Sequence, residues 1–409
     1  MNITGIITEY NPFHNGHLYH LSSAKSVTNC DGVVCIMSGN FVQRGGPSII
    51  DKWQRASMAI ENGVDLVIEL PTFYALSSAE HFAKGSLYIL NSLGIINNIF
   101  FGSECGNVED LVKIANILVN EPLEFKDELK RNLNNGITFA KSREIALVKV
   151  LKDENLSEIL RNSNNILGIE YIKAILSLNS KITPLTFKRE GSNYNDKDLS
   201  STFASATSIR KALKDSDSFE NLANFIPEES YKILKNLKEN DYPFIFENEM
   251  FQFIKYKIVS ECVSFNKLLE ISEGLDNKII KEVYNSNSYE DFVLNIKSKR
   301  YTYTKISRLL TQIFIGLDGY DCKELFNKDL LYARVLGFND KGKKILKEIK
   351  KTSTIPLITK IPRDTDNPLL ALDIAATKCY SLLNNKVNPF DDYLKGPIIK
   401  LESSSNKNY

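Results

Sequence analysis

In the first half of this chain the apolar and β-branched residues gather into short unbroken runs, separated by stretches in which they recur at helical spacing. Residues 1–8 are such a run, and Leu18, Leu21, Ala24 and Val27 after them mark the inner face of a helix. The pattern repeats: runs at 32–39, 66–71, 98–102 and 184–187 predict further strands, with helices predicted over 51–62, ended by Gly63, and 78–93, ended by Gly94. Strands that are apolar on both sides and alternate with helices imply a parallel sheet covered on both faces, an α/β doubly wound, Rossmann-like core. Helical stretches at 108–119, 125–133 and 138–151 read as an insertion at about 107–160. Beyond residue 215 the period changes to amphipathic helices, at 219–237, 247–263, 291–296 and 341–351. The expected organisation is a nucleotide-binding domain over 1–215 and a mostly helical one over 216–409.

A chain of 409 residues with 43% hydrophobic and 25% charged content can bury a large core, and its net charge of +1 means that any nucleic-acid surface must be made by local clustering of Lys and Arg. No apolar run reaches the ~18 residues of a membrane span, so a cytoplasmic location is expected. The six cysteines are scattered without a Cys-x-x-Cys pair, which predicts reduced thiols and neither a metal nor a disulfide framework.

The chemistry concentrates where the strands end. Three of the four histidines lie in the stretch Thr8-Glu9-Tyr10-Asn11-Pro12-Phe13-His14-Asn15-Gly16-His17-Leu18-Tyr19-His20, between the first strand and the first helix. A helix start offers unpaired N–H groups and a partial positive charge, and imidazole can hydrogen-bond a phosphate oxygen and take up a proton as charge builds on it. His14 and His17, three residues apart, can bracket one phosphate. A single histidine is more often structural, which is the reading for His81. In a doubly wound sheet ligands bind beyond the carboxyl ends of the strands. That rule brings the His stretch together with the polar loop of Asn40, Gln43 and Arg44 after the second strand, and with Gly102-Ser103-Glu104 after the fourth. Ser205-Ala206-Thr207-Ser208-Ile209-Arg210 opens another helix with hydroxyls, a second phosphate-ready terminus. Lys297 to Arg308 interleaves cations with Tyr301 and Tyr303, as RNA surfaces do, although both rings could equally be core. The lysine face of 341–351 reads as solvated.

The segment Thr8 to His17 resembles the signature of the nucleotidyltransferase superfamily that shares its fold with class I aminoacyl-tRNA synthetases. More narrowly, it is similar to the tRNA(Met) cytidine acetate ligase family, strongly over residues 1–213 and less so to about 381. The resemblance implies activation of acetate by ATP, accompanied by Mg²⁺, as acetyl-adenylate. Acetylation of N4 of the wobble cytidine of elongator tRNA(Met) then follows. It implies His14 and His17 as catalytic residues, with ATP contacts from Ile7 to His20, Gly102, Asn164, Asn165, Arg189, Ser205, Thr207 and Arg210. Asn40, Gln43, Arg44, Lys299, Arg300, Tyr301 and Tyr303 would face the acyl group or the tRNA. The family often has Tyr-His-Asp where this chain has Tyr194-Asn195-Asp196, so no role passes to a histidine there. The residues alone leave two alternatives: an adenylyltransferase acting on a phosphorylated metabolite, and a nucleotide-sensing RNA-binding protein without turnover.

Overall fold

The apolar runs become strands in a computed structural model of the protein, which describes all residues except 155, 190–203, 215–218, 272–273 and 402–409. Five strands, β1 (Ile3–Thr8), β2 (Gly32–Ser38), β3 (Leu66–Leu70), β4 (Ile96–Ser103) and β5 (Thr183–Lys188), lie parallel in the order β5-β4-β1-β2-β3. β2 and β3 are buried along their whole length, as strands covered on both faces must be. The helices α1 (Asn15–Thr28) and α2 (Lys52–Glu61) cover one face, where Thr4 and Thr28 share a hydroxyl hydrogen bond of 2.8 Å. The helices Ala79–Ser92 and Ser163–Ser177 cover the other, packing closely over Gly5 and Phe101: a Cβ on Gly5 would lie 3.0 Å from the Leu90 methyls, and one on Gly168 2.5 Å from the Phe101 ring. The winding therefore reverses between β1 and β4, and a crevice opens beyond their carboxyl ends.

The second half departs from the expectation. Within the half expected to be mostly helical, the chain forms β6 (Ala333–Asn339), which joins the sheet antiparallel to β3. β7 (Leu357–Ile358) and β8 (Ile398–Lys400) pair with β6 in turn. Without β6 the buried β3 would be an open edge, with unpaired backbone groups. Local pattern shows that a run is extended but not which distant strand it will pair with. Two expected helices are also interrupted: 219–237 becomes a 3₁₀ turn, Glu220–Asn224, and the helix Glu228–Glu239, because Pro227 favours the start of a helix over its interior. The 247–263 stretch resolves into the turn Glu247–Met250 and the helix Phe251–Val259. The boundary near 215 and Tyr194-Asn195-Asp196 lie outside the described residues.

The return of the chain to the sheet is fixed by charge. Lys52 at the start of α2 lies 2.8 Å from both Glu69 of β3 and Asp392, and Arg334 of β6 reaches Glu69 at 3.0 Å and Asp392 at 2.7 Å. All four side chains are 5% exposed or less, and the Trp53 ring lies beside both cations.

Candidate active site

His14 and His17 form the turn by which β1 hands over to α1. The His14 Nδ1 accepts the Gly16 N–H at 3.0 Å, and the His14 N–H reaches Nδ1 of His17 at 3.4 Å, so the two imidazoles cap the helix reciprocally. Asn or Ser commonly caps this way; imidazole does so with a second ring nitrogen to spare. Because each Nδ1 acts as acceptor, the proton of the neutral ring is assigned to Nε2 in both. The ring centroids lie 3.9 Å apart. Two neighbouring N–H donors result. The free backbone N–H groups expected at this helix start are used up instead, since Asn15 donates to the Phe225 carbonyl at 3.0 Å and Gly16 to His14.

Burial, and then the charges of Arg189 and Arg210, hold His14 down at about 3. His17 is held well below its usual value by burial first, then by His14, His20 and Arg189, against the pull of the Pro12 carbonyl. Both rings are neutral at pH 7, and both lie in the field of Arg189, with that of Arg210 added at His14, which an arriving anion would offset. The folded value of His14 lies below the unfolded one, so the unfolded chain takes up the proton more readily: this stability is complete above pH 6.5 and is lost as the pH falls toward about 3. Between pH 6.5 and 5 the loss from His14 should be about 2 kcal/mol. His14→Asn keeps a capping acceptor but cannot titrate, so urea unfolding at pH 7 and pH 5 should show the variant losing less stability on acidification by about that amount.

The second helix start docks onto this turn. Ser205 accepts the Ser208 N–H at 3.1 Å and so caps the helix Ala206–Lys214. Arg210, one turn in, donates to the Asn11 carbonyl at 3.0 Å and to the Thr207 hydroxyl at 3.2 Å. The two stretches, about 190 residues apart in sequence, thus share one corner. Arg189 follows β5, its N–H bound to the Ser103 carbonyl at 2.9 Å. A Cβ on Gly102 would stand 2.9 Å from the Arg189 side chain and 3.0 Å from the Phe187 ring, so this position must be glycine for Arg189 to lie across the end of β4.

Paired imidazole donors and two arginines at the reversal point of a parallel sheet agree with what the chain resembles. It matches the family described as HIGH Nucleotidyl Transferase over residues 1–393. The tRNA(Met) cytidine acetate ligase of Clostridium botulinum (strain Okra / Type B1) is 52% identical over 404 residues, covering 98% of both chains. That of Clostridium novyi (strain NT) is 53% identical over 399 residues, covering 97% of this chain and 99% of the relative. The chain belongs to the tRNA(Met) cytidine acetate ligase family. The crystal structure of apo Thermotoga maritima TmcAL matches with a TM-score of 0.91 at 32% identity, and that of TmcAL bound with alpha-thio ATP with 0.88 at 32%, each covering 98% of this chain and 100% of the other.

Within this family frame, the remaining sequence candidates separate into groups that face the crevice and groups that hold its walls. Tyr10 and Phe13 are fully buried, Asn11 uses its side-chain oxygen on the Ile49 N–H at 2.8 Å, and Ile7 and Thr8 end β1. His20 donates through Nε2 to the Phe100 carbonyl at 3.1 Å and is stacked against Phe100 and Phe187, while Tyr19 meets the edge of Phe187. Asn164 donates to Glu104 at 2.7 Å. Asn165, 1% exposed, accepts the N–H groups of Glu104 and Cys105 and donates to the Ile159 carbonyl, so its side chain fixes the loop after β4. Neither asparagine precedes the helix as a cap: the capping position is Asn162.

The loop after β2 is likewise a built wall. Asn40, 1% exposed, accepts from the Lys52 N–H at 2.8 Å and donates to Thr377 at 3.2 Å, which places it away from any RNA surface. Gln43 donates its N–H to the Glu9 carboxylate at 2.6 Å and its side-chain amide to the Ser77 carbonyl at 3.2 Å, and Arg44 is half-buried beside it. Gly45, at φ +83°, lies so close to the helix Tyr303–Ile315 that a Cβ would meet the Arg308 N at 2.2 Å, and its carbonyl accepts from Ser307 at 2.7 Å. In the basic segment Lys299 and Arg300 are exposed, Tyr301 is 8% exposed with the cations of Arg300 and Lys305 near its ring, and Tyr303 is 37% exposed. Tyr301 is therefore part of the core, the alternative that the sequence left open.

Sequence reasoning missed Arg55. Fully buried, it donates to the carbonyls of Glu9 at 2.6 Å, Ser38 at 3.0 Å, Ile50 at 3.3 Å, and also Gly39, and so ties together the ends of β1 and β2 beneath the crevice. The signal was present, since Lys52, Arg55, Ala56, Ala59 and Ile60 follow helical spacing and put two cations on the inner face of α2.

Proposed function

We propose that this protein is an ATP-dependent tRNA-modifying ligase that charges acetate with AMP and passes the acetyl group to N4 of the wobble cytidine of elongator tRNA(Met). The observation that carries this reading is the pair of neutral Nε2–H imidazoles in the field of Arg189, with Arg210 acting on His14, in a chain about half identical to named acetate ligases along its whole length. The exocyclic amine of cytosine is a weak nucleophile and acetate a weak electrophile; a mixed anhydride with AMP supplies the leaving group. An acetate oxygen attacks the α-phosphate of ATP and pyrophosphate departs, a step that needs position and charge more than covalent help from the protein. His14 and His17 donate to the α/β-phosphate oxygens. Arg210 and the start of its helix hold the departing pyrophosphate, and Gly102, Asn164 and Arg189 form the adenosine side. Among the described residues no group of three His, Cys, Asp or Glu could cage a metal, so Mg²⁺ would take its ligands chiefly from phosphate and water. The exposed Lys299 and Arg300 give the helical region a place to meet tRNA phosphates.

Exchange of labelled pyrophosphate into ATP tests the reading. Exchange that requires acetate and proceeds without tRNA supports the ligase, exchange that requires a phosphorylated metabolite supports an adenylyltransferase, and no exchange supports a nucleotide sensor. Arg300→Ala should lower acetylation of tRNA(Met) roughly tenfold while exchange changes by less than about twofold, as expected for a phosphate contact remote from the chemistry.

A further inference from the structure

We infer that Glu9 is the catalytic base of the second step, its carboxylate taking the proton from the cytosine amine as the acetyl group arrives. The inference rests on the ligase reading above and assigns a residue to the half of the reaction that the histidines do not serve.

Glu9 stands one residue beyond β1. Thr8 projects toward the face covered by α1 and α2, where its hydroxyl lies 3.1 Å from the Cys35 thiol, so strand alternation turns Glu9 to the opposite face. There it neighbours Tyr171 of the helix Ser163–Ser177, whose phenol it helps to push upward in pKa after burial, and whose ring meets Phe101 of β4. The crevice between β1 and β4 therefore has two unlike walls. The α1 side presents His14 and His17 with Arg189 and Arg210 near by, all donors. The other side presents a carboxylate.

That carboxylate is held but not spent. One oxygen accepts the Gln43 N–H at 2.6 Å, and the other has no hydrogen-bond partner among the described residues. Glu104, the second acid at the mouth, has both oxygens committed: one takes the N–H and amide of Asn164, the other the N–H of Asn165 at 2.8 Å. Arg55, the buried cation that shares its field, is spent on the backbone carbonyls of Glu9, Ser38, Gly39 and Ile50, and a partly buried carboxylate opposite a phosphate corner disfavours both substrates of the first step, since ATP and acetate are anions. It attracts a group that offers hydrogens. The amine of cytosine is such a group, and a carboxylate is its usual acceptor among side chains. When the N4 lone pair forms the C–N bond, the tetrahedral centre collapses, the C–O bond to AMP breaks, AMP leaves with that electron pair, and the N4 proton passes to the free oxygen of Glu9. The same contacts explain how the base is positioned from a distance: the loop that donates to it is clamped by Ser307, in the helix that follows the basic segment.

Glu9→Gln is the test, because glutamine keeps an oxygen for the Gln43 N–H and loses the basic one. Acetate-dependent pyrophosphate exchange is measured beside single-turnover transfer from enzyme-bound acetyl-adenylate to a tRNA(Met) transcript across a range of pH. Transfer should fall about 10²–10⁴-fold, at least tenfold more than exchange, and the acid limb of the wild-type pH profile of transfer should disappear. Transfer at the wild-type rate, a parallel fall in exchange and transfer, or restoration of exchange by excess Mg²⁺ would each overturn the assignment, the last two pointing to scaffold and metal-binding roles. If the wild type itself shows no acetate-dependent exchange, the ligase reading fails and takes this inference with it.

Discussion

Replacing His17 by alanine should lower acetate-dependent pyrophosphate exchange roughly 10²–10³-fold while leaving the chain folded. A neutral imidazole whose Nδ1 already accepts the His14 N–H has one donor to offer, and that donor lies beside the one from His14, 3.9 Å away ring to ring. Charge developing on the α/β-phosphate oxygens in the transition state would be met by dipoles already in place, in surroundings where burial and Arg189, with Arg210 at His14, keep the rings from being protonated beforehand. Loss of the His17 part of the reciprocal cap should cost about 1 kcal/mol of stability, far less than unfolding. Exchange assays paired with urea denaturation separate the two effects. Full exchange activity in a folded His17→Ala protein would place the triphosphate elsewhere.

The largest effect on stability should come from Glu69→Ala, with an expected loss of about 3–5 kcal/mol. Lys52 donates to both oxygens of Glu69, at 2.8 and 3.1 Å, Arg334 pairs with one of them at 3.0 Å, and both cations share Asp392 as their second partner. Removing Glu69 leaves two buried positive charges sharing one oxygen of a single carboxylate, Asp392, in a cluster no more than 5% exposed. Desolvation that the four charges offset together would then be uncompensated. Asp373 lies within the same field: burial and Glu69 push its carboxyl upward, and Tyr332 donates a hydrogen bond to it. Combining Glu69→Leu with Arg334→Met removes one charge of each sign and should recover a substantial part of the loss, because Lys52 and Asp392 remain a matched pair. A fall in the urea midpoint for Glu69→Ala and its partial recovery in the double variant are the expected results. If Glu69→Ala unfolds like the wild type, this cluster does not hold β6 in the sheet.

How much of this was written in the sequence follows from the range over which each signal acts. The β1 turn was legible because strand, glycine, paired histidines and helix start all lie within about twenty residues, and backbone period and capping are local properties. Arg210 was legible as the start of a helix, but that it binds the Asn11 carbonyl was not. Polarity in a loop does not say which way a side chain turns: Asn40 and Tyr301 looked like surface contacts and are buried, while Glu9 passed as one letter of a signature and stands apart from its histidines.

The sequence by itself determined the five parallel strands, their helices and the two histidines, because those depend on spacings that neighbours along the chain enforce. Only the tertiary structure decided that β6 closes the edge of β3, that Arg55 and the Lys52–Glu69–Arg334–Asp392 cluster sit inside, and that donors and an acceptor face each other across the crevice. Those arrangements join residues up to about 340 positions apart, where the burial of edges and the pairing of charges set the partner and no local pattern can name it.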